Sequence, residues 1–183
     1  MLTVRRLTPE TIAEATPIAD AVLVGEETVV RIGRTGFTLA WSPLDRARWH
    51  TLPQRADADA ELLCGVEDAA VFGAFVDGQF VGMACMYAAY DGWAELCDLR
   101  VDAQHRRQGV ATALVASCEH LARQRGLYGL RCVTSDQNPT ACRFLLERNF
   151  TLQGMDRMAL AGSPEERAKP LMHRACSLIF YRR

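Results

Sequence analysis

The sequence predicts an α+β fold with a central, mixed, twisted sheet of about six to seven strands flanked by about four helices. Three observations carry that expectation. Asp77-Gly78 sits between two apolar runs, 71–76 and 79–87, and is a strong short hairpin signal. A strand over 93–101 leads through a basic turn into an apolar-faced helix from Gly109, and a further strand follows over 127–134. That order permits a parallel βαβ crossover. Asn138-Pro139 then opens another helix, with Asn as N-cap and Pro at its first position. The 183 residues suffice for one full core and are short for two, so a single domain over 1–183 is expected.

The remaining elements follow in order. Residues 3–7 alternate, and Thr8-Pro9-Glu10 is a helix-start signal, so a helix is expected to run to Val24, bent or split by Pro17. Short β-type runs cover 29–33 and 36–41. Periodicity is lost over 42–68, where Ala-Asp-Ala-Asp-Ala-Glu reads as an exposed loop of the kind that is often functional. Asp91-Gly92 is a turn before the third strand of the hairpin series. The helix from Gly109 places apolar residues at 110, 114, 115, 118, 121 and 122, and Gly126 ends it. The helix after Asn138 stops near Arg148, with Asn149 suited to the left-handed position. A strand over 150–160, a loop over 161–170 and a closing strand over 173–181 complete the chain.

Composition narrows the class. Close to half the residues are apolar and no tract is strongly biased, as in ordinary globular chains. No apolar run approaches the ~20 residues that span a bilayer. The N-terminus carries no apolar core of a signal peptide. The seven cysteines form no CxxC pair and no cluster with histidine, so neither a disulfide framework nor a metal site is expected, and a reduced cytoplasmic setting suits them. The pI of 6.4 and basic residues without interleaved aromatics argue against nucleic-acid binding. Charge is nonetheless uneven. From Asp57 to Asp98 there are nine acids and no Lys, Arg or His, whereas from Leu99 to Arg131 six arginines face two acids. Most of these are expected to be solvated faces, yet the switch would also suit a cationic ligand beside an anionic one.

The basic turn is Arg106-Arg107-Gln108-Gly109-Val110-Ala111. Amides at a helix start are unpaired and the dipole adds about half a positive charge, so phosphates bind there readily. Gly109 lets a diphosphate approach the backbone, Ala111 keeps the next position small, and the two arginines add charge. By itself the hexapeptide is a weak signal, because a basic residue before a glycine-initiated helix is common.

In context, the sequence resembles the GNAT superfamily of acyl-CoA-dependent N-acyltransferases. Its Q/R-x-x-G-x-G/A signature falls on Arg106, Gly109 and Ala111, and its N-x-x-A pattern on Asn138 and Ala141, with Phe150 after the helix end. A nearer likeness, to streptothricin acetyltransferases, is carried by Phe72-Gly73-Ala74-Phe75 through Val81-Gly82, by 106–114, by Asn138-x-x-Ala141-Cys142 and by Phe150-Thr151-Leu152-x-Gly154-x-Asp156. Those enzymes acetylate an amino group of a polycationic antibiotic.

The resemblance implies acetyl-CoA as donor and a small, cationic primary amine as acceptor, streptothricin-like or aminoglycoside-like, attacked directly in a ternary complex. It places the diphosphate on Arg106, Arg107, Gln108, Gly109, Val110, Ala111 and Thr112, and the pantetheine arm along Leu99, Arg100 and Val101. One of those strand amides would stabilise the oxyanion. Asn138, Ala141 and Cys142 are the remaining cofactor-side positions. An ammonium with pKa near 10 must lose a proton before it attacks. The family commonly takes that base from the strand before the cradle: Glu95 is the first choice and Asp98 the second, since Asp98 falls on the opposite face unless a bulge intervenes. The family's usual tyrosine acid is replaced by Leu145. A thiol of pKa about 8.5 still leaves as thiolate at a cost of only ~2 kcal/mol. Tyr87, Tyr90, Tyr128 and Cys142 are substitutes to weigh. Dimers are common in the family, and the closing strand offers a contact for one. Two rival readings stay open: acetylation of protein N-termini or lysines, and an acyl-CoA-binding sensor with little turnover.

Overall fold

The structure, a computed structural model, describes residues 1–19, 21–51, 59–159 and 175–183. Among these, 1–19, 59–131 and 183 form one compact unit, and 21–51, 132–159 and 175–182 form a second.

In the first unit the strands β1 (Leu2–Leu7), β4 (Ala69–Val76), β5 (Gln79–Ala88) and β6 (Ala94–Val101) lie in the order β1-β4-β5-β6, each antiparallel to its neighbour. Asp77 and Gly78 take φ of 50° and 84°, the two left-handed positions that let the β4–β5 hairpin turn in two residues. The helix α2 (Val110–Gln124) covers one face of this sheet through Val110, Leu114, Val115, Cys118 and Ala122. Gly82 makes the approach possible, since a Cβ there would stand 2.9 Å from the Arg100 carbonyl and 3.1 Å from Val110. The opposite face carries Leu7, Val71, Phe75, Phe80, Cys85 and Cys97, packed under Ile12, Ile18, Ala60 and Leu63. Those covering residues come from a 3-10 turn (Ile12–Glu14), from the chain after it, and from the short helix α1 (Ala60–Cys64).

After α2, Gly126 turns the chain with φ of 68°. Tyr128 N–H then donates to the Gly92 carbonyl and Ala94 N–H to Gly129, both at 2.9 Å, so the chain advances beside β6 in the same direction. This is the entry of the expected crossover. It leads into β7 (Leu130–Ser135), whose first two residues belong to the first unit.

The second unit orders its strands β7-β9-β8, with β8 (Thr151–Asp156) antiparallel to β9 (Ser177–Arg182). It also holds a long hairpin of β2 (Ala21–Gly33) and β3 (Gly36–Thr51), and the helix α3 (Pro139–Glu147). The Asn138 side chain caps α3 by accepting from Ala141 N–H at 3.1 Å, and Asn149 closes it in the left-handed conformation at φ 62°. Arg143 on α3 lies over the Trp41 ring at 4.0 Å and forks onto both Glu26 oxygens, holding the hairpin to the helix.

Two expectations near the N-terminus are corrected. The helix expected to run to Val24 is one 3-10 turn, and by Ala21 the chain is already in β2. Pro17 leaves too few residues on either side for a stable helix, and pairing with β3 then outweighs the helical preference of the Ala/Glu-rich stretch. The irregular reading of 42–68 is likewise corrected for 42–51, which continue β3, and for 60–64, which form α1. Pro43 disguised the strand; it stands where the β2–β3 register shifts, a site that tolerates a missing ladder donor. Residues 52–58 of that expected loop and the loop over 161–170 lie outside the described residues. Among the described residues no helix is long and apolar enough to cross a membrane.

Candidate active site

The first unit holds both the strand and the turn on which the expected chemistry rests. On β6, Leu96 pairs with Met86 and Asp98 with Cys85, leaving Cys97 as the extra residue of a β-bulge. Beyond it, Glu95 pairs with Tyr87. Cys85 and Tyr87 are two apart on β5 and share a face, so their partners Asp98 and Glu95 share one too. The bulge therefore brings together two carboxylates that simple alternation would put on opposite sides. Their face is the one covered by α1, not the one covered by α2.

Each carboxylate is held by an arginine. Glu95 is 3% exposed, and its Oε2 accepts from Arg131 Nε at 2.6 Å; Arg131 also reaches Asp91 through Nη1. Asp98 receives Arg100 Nε on both oxygens, at 3.0 and 2.9 Å. Burial pushes the Asp98 carboxyl above the usual carboxylate range, and the Arg100 charge and hydrogen bonds offset this only in part. A carboxylate raised in this way is the better proton acceptor near neutral pH. These pairs also revise the reading of the charge switch. Arg100 and Arg131 are spent on acids of the preceding stretch, and Arg125 donates to the Glu67 carbonyl at 2.8 Å. Arg131 was outside the sequence-derived site, because nothing at a spacing of 36 residues announces a pair.

The turn begins where β6 ends. Asp102 caps a 3-10 turn (Ala103–His105) through Gln104 N–H, and its carboxylate, held low chiefly by His105, lies 2.9 Å from the His105 Nδ1. Arg106 Nε donates to the Val101 carbonyl at 3.1 Å, tying the turn to the end of β6. Arg107 and Gly109 adopt left-handed φ of 63° and 84°, and α2 starts at Val110. Gly109 offers no side chain to cap α2, and among the described residues the amides of Val110, Ala111 and Thr112 meet no side-chain acceptor. A Cβ at Gly109 would point into open space with nothing within 4 Å. An uncapped helix start, an open backbone approach and the exposed Arg107 are the features an acyl-CoA diphosphate requires, and the residues fit that group.

Asn138, Ala141 and Cys142 belong to the second unit. Asn138 is buried, its side chain used as the α3 cap. Cys142 is fully buried with its thiol on the Ser135 carbonyl and its pKa pushed up to about 12 by burial, so it is a poor proton donor. Leu145 is 2% exposed and part of the packing of α3. Among the tyrosines weighed as donors, Tyr90 is fully exposed, and Tyr128 packs edge-on against Trp93 under Arg183. Tyr87 alone of these pairs directly with Glu95.

A fold of this kind with a glycine-started helix after a carboxylate-bearing strand defines an acyl-CoA N-acyltransferase, and the chain belongs to the acetyltransferase (GNAT) family, whose model matches residues 35–150. It is similar to the streptothricin acetyltransferase of Escherichia coli, at 29% identity over 157 residues, which is 86% of each chain. Streptothricin acetyltransferase A of Bacillus subtilis is 28% identical over 98 residues, or 54% of this chain and 57% of that one. Among solved structures, a Bacillus anthracis protein described as a streptothricin acetyltransferase, in complex with acetyl coenzyme A, superposes with a TM-score of 0.87 at 16% identity, covering 100% and 99% of the two chains. A nourseothricin acetyltransferase gives 0.78 at 21% identity, over 98% and 96%. The protein is thus an N-acetyltransferase, and acetyl-CoA is its acetyl donor.

Proposed function

We propose that the protein acetylates a primary amine of a small cationic acceptor by direct attack in a ternary complex with acetyl-CoA. The observation that carries this reading is the bulge at Cys97, which sets Glu95 and Asp98 on one face of β6. The names of its relatives make streptothricin the first acceptor to try.

Bound acetyl-CoA supplies an acetyl group activated as a thioester. Arg107, Gly109 and the amides of 110–112 would hold its diphosphate, and the β6 backbone at 99–101 its pantetheine arm. An acceptor amine with pKa near 10 sits protonated at neutral pH, and stripping that proton costs about 4 kcal/mol at pH 7. Two carboxylates first draw the ammonium in, and one then takes the proton. Asp98 suits the second task, because burial raises its affinity for a proton. Glu95, held in place by Arg131, would orient the amine. The acceptor nitrogen would then form the N–C bond as the C–S bond breaks, its second proton passing to solvent and the sulfur leaving as thiolate.

Leu145 is the one observation that favours the other reading, a domain that binds acyl-CoA with little turnover. Incubation with acetyl-CoA and streptothricin, followed by mass spectrometry, separates the two. Acetyl transfer adds about 42 Da to the antibiotic with one thiol released per adduct; tight CoA binding with no adduct supports the sensor.

A further inference from the structure

A cavity of about 360 Å³ opens on the same face as the two carboxylates, lined by Asp59, Leu62, Leu63, Val66, Asp68, Tyr87 and Ala88. Its position follows from the fold. α1 lies across the ends of β4 and β5, and Ala88 N–H donates to the Asp68 carbonyl at 2.8 Å, fixing the floor to the start of β4. Tyr87 is the inner wall: on β5 it stands between Ala69 on one side and Glu95 on the other. The cavity thus includes the residue that pairs across the strands with the buried Glu95.

The walls have two characters. Leu62, Leu63, Val66 and Ala88 are aliphatic, while Asp59 and Asp68 are exposed acids, and no basic residue is among the described lining residues. An open aliphatic surface flanked by two carboxylates and a tyrosine suits one ligand chemistry. That chemistry is a flexible alkyl chain with an ammonium at each end. The volume lies within the range of small-ligand sites, about 300–1,000 Å³.

We propose that this cavity binds the acceptor, and that it selects chains of the α,ω-diamine type, one ammonium entering past Tyr87 toward Glu95 and Asp98 while the other rests against Asp68 and Asp59. The proposal rests on the acetyltransferase reading of the same face and names its substrate class. A rigid amine lacking an aliphatic stem would leave Leu62, Leu63 and Val66 uncovered and gain nothing from the aliphatic surface. The acids at the rim are solvated, so each contributes modestly and in a salt-dependent way.

The test measures equilibrium binding and turnover separately. Titration calorimetry with the full chain and CoA compares 1,5-diaminopentane with pentylamine, in the wild type, in Asp68→Asn and in Val66→Trp. Val66 is 48% exposed, so a larger side chain there narrows the cavity without disturbing the core. The diamine should bind more tightly than the monoamine; Asp68→Asn should weaken the diamine alone, by about fivefold, and that difference should shrink with salt. Val66→Trp should weaken both by about tenfold or more while CoA affinity holds. Equal binding of the two amines, or unchanged diamine binding in both variants, overturns the cavity as the acceptor site. Thiol release from acetyl-CoA is read in parallel. Diamine binding that responds to the variants without acetyl transfer would leave the cavity standing and remove the enzymatic reading. Transfer indifferent to both variants would do the reverse.

Discussion

Arg131 Nε stands 2.6 Å from Glu95 Oε2, and the side chains are 19% and 4% exposed, so the carboxylate beneath the proposed acceptor face has a cation of its own. Removing one partner of such a pair strands the other in a poorly solvated site, at a cost of about 3 kcal/mol. Arg131→Met is therefore expected to lower the urea midpoint strongly, whereas Glu95→Gln together with Arg131→Met recovers much of the loss. Denaturant unfolding of the two single variants and the double variant measures that coupling.

Asp98 gives the protein a pH signature. Burial raises its folded pKa above the unfolded value, so its contribution to stability is fully present below the ordinary carboxylate pKa of about 3.9 and is lost as pH rises through the folded value. Asp98→Asn removes that loss. Relative to the wild type, the variant is expected to gain stability as pH rises above about 4, read from urea midpoints across a pH series.

Arg100 partly offsets the rise at Asp98. Arg100→Met should lift the Asp98 pKa further and move the acid limb of the kcat/KM profile to higher pH. A limb that stays in place would assign it to another group.

Gly109 takes φ of 84° with open space where a Cβ would stand. Gly109→Ala is expected to cost about 1 kcal/mol through backbone strain alone. The added methyl would also stand in the backbone approach the diphosphate needs, raising the KM for acetyl-CoA with little change at saturation. Thermal unfolding and a titration of acetyl-CoA report the two effects independently.

Much of this was legible beforehand where the signals are local. The Asp77-Gly78 hairpin, the Asn138-Pro139 helix start and the left-handed Gly109 and Asn149 all rest on backbone preferences of single residues, and the structure has them. The β2–β3 hairpin was hidden because its 13- and 16-residue strands are interrupted by Pro43 and preceded by helix-forming residues, so only the long-range pairing makes them strands. The acidic site was half legible. Glu95 and Asp98 stood out by position, but the bulge that joins their faces falls on Cys97, whose residue type gives no hint of it. The guardians Arg100 and Arg131 were visible only as charge. The cavity on α1 emerged from a stretch that has no periodicity at all.

The most direct test of the account is thiol release from acetyl-CoA with streptothricin as acceptor, measured for the wild type, Asp98→Asn and Glu95→Gln. Asp98→Asn is expected to lower kcat/KM for the amine by about a hundredfold, the scale of a lost general base, with the KM for acetyl-CoA unchanged. Glu95→Gln should act mainly on the KM for the amine. Wild-type turnover in both variants would contradict the claim that this pair of carboxylates receives the acceptor.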